Sequence, residues 1–132
     1  MKIAAISDDE VHISQHFGRA SYYVVVTVEE GKVVSSETRP KAGHRTFAAQ
    51  EHPRLRPGER HGYDPGSQAK HRSMAKTIAD CDVLIAGGMG WGAYESLKGY
   101  GIRPIITDVD DIRAAVLRCI DGDLPDLMER VH

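Results

Sequence analysis

Cysteine is scarce in this 132-residue chain: Cys81 and Cys119 stand alone, with no close spacing between them. That excludes a disulfide framework and any CxxC metal motif. Charge of one sign is also lacking. The net charge is −2, so nothing global draws the chain to nucleic acid or to a membrane surface, and neither is expected as a partner. No apolar run approaches the ~20 residues of a membrane span. Met1-Lys2-Ile3 enters a strand directly, without a signal-peptide core, so a reducing cytoplasm is the expected location. No internal repeat is present. A hydrophobic share of 41% and a charged share of 27% fit one globular domain over residues 1–132.

What is there is organised around residues 82–107. Asp82-Val83-Leu84-Ile85-Ala86 is a short apolar run suited to a strand buried on both faces. It breaks into Gly87-Gly88-Met89-Gly90, and Trp91 to Gly99 follows with a helical pattern. Gly99 and Gly101 stop the helix, and Ile102 to Thr107 starts another strand. This is one βαβ unit, right-handed by the general rule for such crossovers. Its glycine turn lies where open α/β sheets usually hold ligands.

Read from its start, the chain opens with a central strand over Lys2 to Ser7, then a polar loop, SDDEVHISQHFG. Ser21 to Val28 is rich in aromatic and β-branched residues and reads as a strand. Glu30-Gly31 turns it into a hairpin whose second arm, Lys32 to Arg39, alternates and carries charge like an edge strand. Residues 40–72 differ in character. Four prolines, four histidines (His44, His52, His61 and His71) and a local charge of +4 make a basic, histidine-rich connection, against −6 for the rest. So few apolar side chains leave little to offset the entropy of ordering it, so mobility is expected, with closure over an anionic ligand. Ser67 to Asp80 reads as a helix with Met74, Ala75 and Ile78 inward, and Ile112 to Ile120 as another with Ile112, Ala115, Val116, Cys119 and Ile120 on one stripe. Gly122 ends the second helix, and the last ten residues read as a loose tail.

These elements imply an α/β fold with a five-stranded mixed sheet, order 3-2-1-4-5 and strand 2 antiparallel. The loop after strand 1 and the Gly87–Gly90 turn then become two lips of one cleft. Within them, neutral imidazole at His16 or His12 suits iron, copper, zinc or nickel. Backbone N–H groups of Gly87, Gly88 and Gly90 at a helix start suit an anion, and the crowding of glycine there points to close approach by a ligand. Met89 and Trp91 are candidates for the cleft wall; Cys81 and Cys119 read as buried structural thiols. His44 and His61 are weaker metal candidates, since no HxxxH spacing links the loop histidines.

The run MKIAAISDDE…HFGRASYYVVVTVEEGKVVSSE, followed by DCDVLIAGGMGWGAYESLKGYGIRPIIT, resembles the nitrogenase iron–molybdenum cofactor biosynthesis family. That family includes NifX- and NafY-like accessory proteins and the C-terminal domain of NifB. The resemblance covers residues 2–39 and 66–124. It implies a ribonuclease-H-like three-layer fold and a small non-catalytic carrier, monomeric or weakly dimeric. The carrier would exchange an iron–sulfur or molybdenum–iron/copper–sulfur cluster, or its precursor, with donor and acceptor proteins. His16 matches the histidine of the family's His-Phe-Gly run, which is implicated in holding the cluster, and Phe17, Gly18 and Arg19 come with it. Residues 40–72 here have no cysteine, unlike the shorter loop of many relatives, which leaves thiolate ligation open. The alternatives are a metal-dependent nuclease or phosphohydrolase built on Asp8, Asp9, Glu10 and Asp108, and a nucleotide or phosphate binder. The first lacks an acid at the end of strand 4, where Gly87-Gly88 stands. The second lacks both the dinucleotide fingerprint and the P-loop lysine.

Overall fold

The computed structural model of the chain describes residues 1–41 and 74–127. Strands β1 (Lys2–Ser7), β2 (Tyr22–Glu29), β3 (Lys32–Pro40), β4 (Val83–Ala86) and β5 (Arg103–Ile106) form one sheet, ordered β3-β2-β1-β4-β5. β2 is antiparallel to β1 and β3, whereas β4 runs parallel to β1 and β5. The expected order and directions are those observed, and the ends of the five strands and of the helices over 91–99 and 112–121 agree with the sequence reading to within one residue. The hairpin turns at Glu30 and Gly31, both with positive φ (53° and 75°), which matches the twist of the flanking strands.

Period-two alternation sorts the strands' side chains onto two cores. One face carries Ala4, Ile6, Tyr23, Val25, Leu84 and Ile106, covered by helix α1 (Trp91–Gly99) and by residues 74–81. The other carries Ile3, Ala5, Val24, Val26 and Ile85, covered by helix α2 (Ile112–Asp121). Ile112, Ala115 and Val116 are buried there and Cys119 and Ile120 half-buried, so the α2 stripe is the one its spacing predicts. Asp111 caps α2 by accepting from Ala114 N–H at 2.8 Å, and Gly122, at φ 78°, closes it in the left-handed conformation.

Residues 74–76 are helical and a turn follows through 80. Met74, Ala75 and Ile78 are fully buried, and the Tyr23 hydroxyl donates to Met74 O at 2.8 Å. The helix expected over 67–80 therefore ends earlier than its pattern suggests, at 76 and not at Asp80; its residues 67–73 lie outside the described residues, as does the basic connection with His44 and His61. Arg39 fixes the turn to the sheet through a two-pronged pair with Asp80 (2.7 and 2.9 Å), which Lys2 also contacts at 3.0 Å. The expectation of a loose tail over the last ten residues fails for 123–127; residues 128–132 lie outside the described residues. Residues 123–127 are tied to β5 through Leu127 N–H to Ile106 O (2.7 Å) and Ile106 N–H to Asp126 Oδ1 (3.0 Å), not a loose tail. Leu124 and Leu127 make this possible, each packing on one of the two cores.

Candidate pocket at the carboxyl ends of β1 and β4

β1 ends in Ser7, which is buried and gathers the start of the next loop. Its hydroxyl donates to His12 O at 2.6 Å and accepts Glu10 N–H at 2.8 Å. Asp9 Oδ1 accepts the N–H groups of Val11 (2.9 Å) and His12 (2.7 Å), while Asp9 Oδ2 lies 2.6 Å from His12 Nδ1. These bonds, the His12 N–H foremost, hold the Asp9 carboxyl well below the usual carboxylate range. The hydrogen bond to Asp9 raises His12 above an ordinary imidazole, helped by the charges of Asp110 and Asp111. His12 Nε2 is 3.8 Å from Asp110 Oδ2. Backbone bonds from Ile13 to Asp110 (2.7 Å) and from Ile112 to Val11 (3.0 Å) dock this half of the loop on the β5–α2 connection. His12 is therefore engaged in an acidic clip and lines no part of the pocket described below.

The second half of the loop turns the other way. Ser14 N–H returns to Ile6 O (2.9 Å), and the chain then lies across the glycine turn. Gly87 N–H donates to Ser14 O at 2.9 Å, and Phe17 N–H to Gly88 O at 3.1 Å. Between these bonds sits Gln15. A Cβ on Gly88 would stand 2.6 Å from its carbonyl oxygen, and one on Gly87 2.7–2.9 Å from its side-chain amide. The expected cleft lips are thus bonded to each other. The close approach that requires glycine at 87 and 88 comes from the chain's own Gln15. Gly87 is correspondingly withdrawn as an anion donor, because its N–H is used and Gln15 covers it.

His16 emerges from this seat with its backbone fixed. Its N–H meets Ser14 Oγ at 3.2 Å, and its carbonyl accepts Arg19 N–H (3.2 Å) and Ala20 N–H (3.1 Å). Phe17 anchors the turn: its ring is buried, 6.2 Å from the Tyr23 ring, with the Lys41 ammonium 4.6 Å from its centre. The imidazole of His16 is left exposed.

A pocket of about 390 Å³ opens here, lined by Gln15 and His16 to Arg19 on one side and Gly88 to Gly90 on the other. Seven of the eight residues read as cofactor-binding therefore converge: His16, Phe17, Gly18, Arg19, Gly88, Met89 and Gly90. Met89 is buried, and Trp91, half-exposed and edge-on to Tyr94 at 5.4 Å, lies outside the lining. Neither cysteine reaches the pocket. Burial pushes the Cys81 thiol up to about 12 and also raises Cys119, so neither is a ready thiolate.

Two of the four acids of the nuclease alternative, Asp8 and Asp9, are spent locally. Asp8 accepts Ser21 N–H and hydroxyl (3.0 and 3.2 Å), and Asp9 is held as above. Among the described residues no three His, Cys, Asp or Glu side chains are grouped to hold a metal ion. No helix among them is long and apolar enough to cross a membrane. The roles of Gln15, Ser14 and Ser7 went unread in the sequence; the adjacent pair Gly87-Gly88 was the one signal that something sits on that turn.

The sequence profile of the family described as "dinitrogenase iron-molybdenum cofactor" matches residues 1–122. Among solved structures, that of PH0822 is similar at 23% identity and a TM-score of 0.66, covering 96% of this chain and 95% of the other. A putative dinitrogenase from Methanocaldococcus jannaschii is similar at 16% identity and 0.63, covering 96% and 94%. The apo form of the orange protein from Desulfovibrio gigas is similar at 23% and 0.64, covering 95% and 91%. At these identities the likeness is one of fold. No curated protein matches the chain.

Proposed function

Because this chain belongs to the dinitrogenase iron-molybdenum cofactor family, we propose that it is a non-catalytic accessory protein that carries a metal–sulfur cluster, or its precursor, in the His16 pocket. The cargo is an iron–sulfur or molybdenum-containing cluster, taken from one protein and passed to another in the cytoplasm. In this reading the mixed sheet, with β2 reversed, is of ribonuclease-H-like type.

The observation that carries the proposal is His16, an exposed residue on a hydrogen-bonded backbone, in the lining of a pocket of about 390 Å³. The donor set limits the cargo. Among the described residues the lining offers one imidazole, one guanidinium (Arg19), the Gln15 amide, a buried thioether (Met89) and backbone groups, with no thiolate. A cluster that needs four cysteine ligands does not fit. A cluster that brings its own sulfide and a net negative charge does: His16 can bind an exposed metal, and Arg19 can balance the charge.

Anaerobic reconstitution with iron, sulfide and tetrathiomolybdate, followed by desalting, visible absorption and metal analysis, tests this. Retention of a sulfur-ligated metal by the wild type, and its loss in His16→Ala, is the expected result. A wild-type protein that elutes free of metal from every mixture overturns the proposal.

A further inference from the structure

The pocket rests on a contact that no metal-site motif announces. Residues 14–17 cross Gly87 and Gly88 with two backbone hydrogen bonds, from Gly87 N–H to Ser14 O and from Phe17 N–H to Gly88 O. Gln15 lies between them, its carbonyl over Gly88 and its side-chain amide over Gly87, at separations that exclude even a methyl group. The next residue is His16. From this geometry we propose that Gln15 is a positioning residue for the His16 site. The inference rests on the carrier reading for its functional meaning, but the placement itself can be measured without any cargo.

The physical argument is one of filling. Gly87 and Gly88 lack side chains, so the turn presents a bare backbone floor. Two backbone hydrogen bonds hold the loop at its ends, and between them its height also depends on what occupies the space above Gly87. The Gln15 side chain fills it, while Phe17, buried on the far side of His16, pins the other end. His16 is thereby held between two fixed neighbours, and its imidazole is presented from a backbone with little freedom. Removing the Gln15 side chain opens the space above Gly87 and frees that backbone. A side chain of similar length without an amide keeps the space filled. Positioning depends on Gln15's volume, whereas a direct bond to cargo would depend on its amide.

The experiment compares Gln15→Ala, Gln15→Met and Gly88→Ala with wild type. One arm is amide ¹⁵N relaxation of His16 in the cargo-free protein; the other is titration with tetrathiomolybdate as the probe. In wild type and Gln15→Met the His16 amide should have an order parameter near 0.85, and in Gln15→Ala it should fall toward 0.6 or below, on the order of the contrast between rigid and flexible backbone. Probe affinity should fall about tenfold or more in Gln15→Ala, as when the support of a metal ligand is lost, and be kept in Gln15→Met. Gly88→Ala, which lifts the same backbone from below, should reproduce the Gln15→Ala result. An ordered His16 amide in Gln15→Ala overturns the inference, whatever Gly88→Ala does. So does a Gln15→Met variant that loses the probe as fully as Gln15→Ala, because that assigns the amide to cargo contact. If wild type itself fails to take up the probe, the carrier reading is what fails, and the relaxation arm still decides the role of Gln15.

Discussion

Gly88→Ala and Gly87→Ala remove the same hydrogen from adjacent residues, yet the geometry assigns them different costs. Neither glycine has a positive φ: among the described residues those are Gly31, Gly101 and Gly122. The substitutions are therefore judged on space alone. At Gly88 the new Cβ meets the Gln15 carbonyl oxygen at 2.6 Å, a backbone atom. Carbon–oxygen contacts of this kind settle at roughly 3.3 Å or more, so the loop must rise by about 0.7 Å. That shift strains the Phe17–Gly88 bond, already 3.1 Å, and the Gly87–Ser14 bond at 2.9 Å. Two backbone bonds at about 0.5–1.5 kcal/mol each give about 1–3 kcal/mol. The reduced freedom of alanine in the unfolded chain returns about 0.4–1 kcal/mol, leaving a loss of about 0–2.6 kcal/mol, with its centre at about 1.3 kcal/mol.

At Gly87 the Cβ meets only Nε2, Cδ and Oε1 of Gln15, the far end of a flexible side chain. Rotating that side chain costs about 0.5–1.5 kcal/mol, which the unfolded-state gain largely cancels. Urea unfolding followed by circular dichroism measures both, and repeating each substitution in a Gln15→Ala background completes two double-mutant cycles. The cost at Gly87 should vanish in that background, and the cost at Gly88 should persist because the carbonyl remains. A Gly88→Ala protein as stable as wild type, or a Gly88 cost that disappears with the Gln15 side chain, would refute the account.

Three further outcomes are expected. His16→Ala should leave stability within about 0.5 kcal/mol of wild type, as exposed substitutions do, while cutting retained metal about tenfold in the reconstitution assay. The His12 clip should contribute fully below pH 6.5, the ordinary imidazole value, and be lost as pH rises through the raised value of the folded chain; Asp9 acts at the acid end, its contribution present above 3.8 and lost as pH falls through its depressed value. His12→Gln should abolish the first limb, and an NMR titration placing the His12 ring at or below 6.5 would contradict the assignment. Cys81, its thiol pushed up to about 12, should resist iodoacetamide at neutral pH until the protein unfolds, and stoichiometric labelling of Cys81 in the folded protein would show that its burial is misjudged.

Much of this architecture was legible because its signals are local and repeated. The β-branched run of β2, the unbroken apolar runs of β1 and β4, and the α2 stripe each recur over several residues, and the chirality of the βαβ unit fixes how they assemble. The His-Phe-Gly run and the glycine turn could be placed on one end of the sheet for the same reason. The direction of each side chain within the loop was not legible. His12 and His16 are four residues apart, yet one lies beside Asp9 and Asp110 and the other lines the pocket, the backbone around them being held by Ser7 and Ser14. No periodicity encodes that arrangement. The C-terminal segment misled for a related reason: Leu124 and Leu127 are too few to register as a pattern, and what orders them is a pairing with Ile106 distant in sequence. Gly87-Gly88 shows in sequence that a backbone is bare, but not that Gln15 lies against it.

The same geometry bears on how tightly such a pocket would hold its cargo. The Ser14–Phe17 segment is ordered by its own hydrogen bonds and by the buried Phe17 ring, so binding need not organise it. That saves the entropy of ordering a loop, which otherwise weakens a small site. Against this, the described lining offers one imidazole and one guanidinium on exposed side chains, and water competes at each of them. A fixed seat with few strong donors favours quick, specific capture over a long residence, because affinity is tuned mostly through the off-rate. In the carrier reading that balance is the useful one: four thiolates would hold a cluster too firmly to pass on, whereas a single presented imidazole can be exchanged for a ligand of the acceptor.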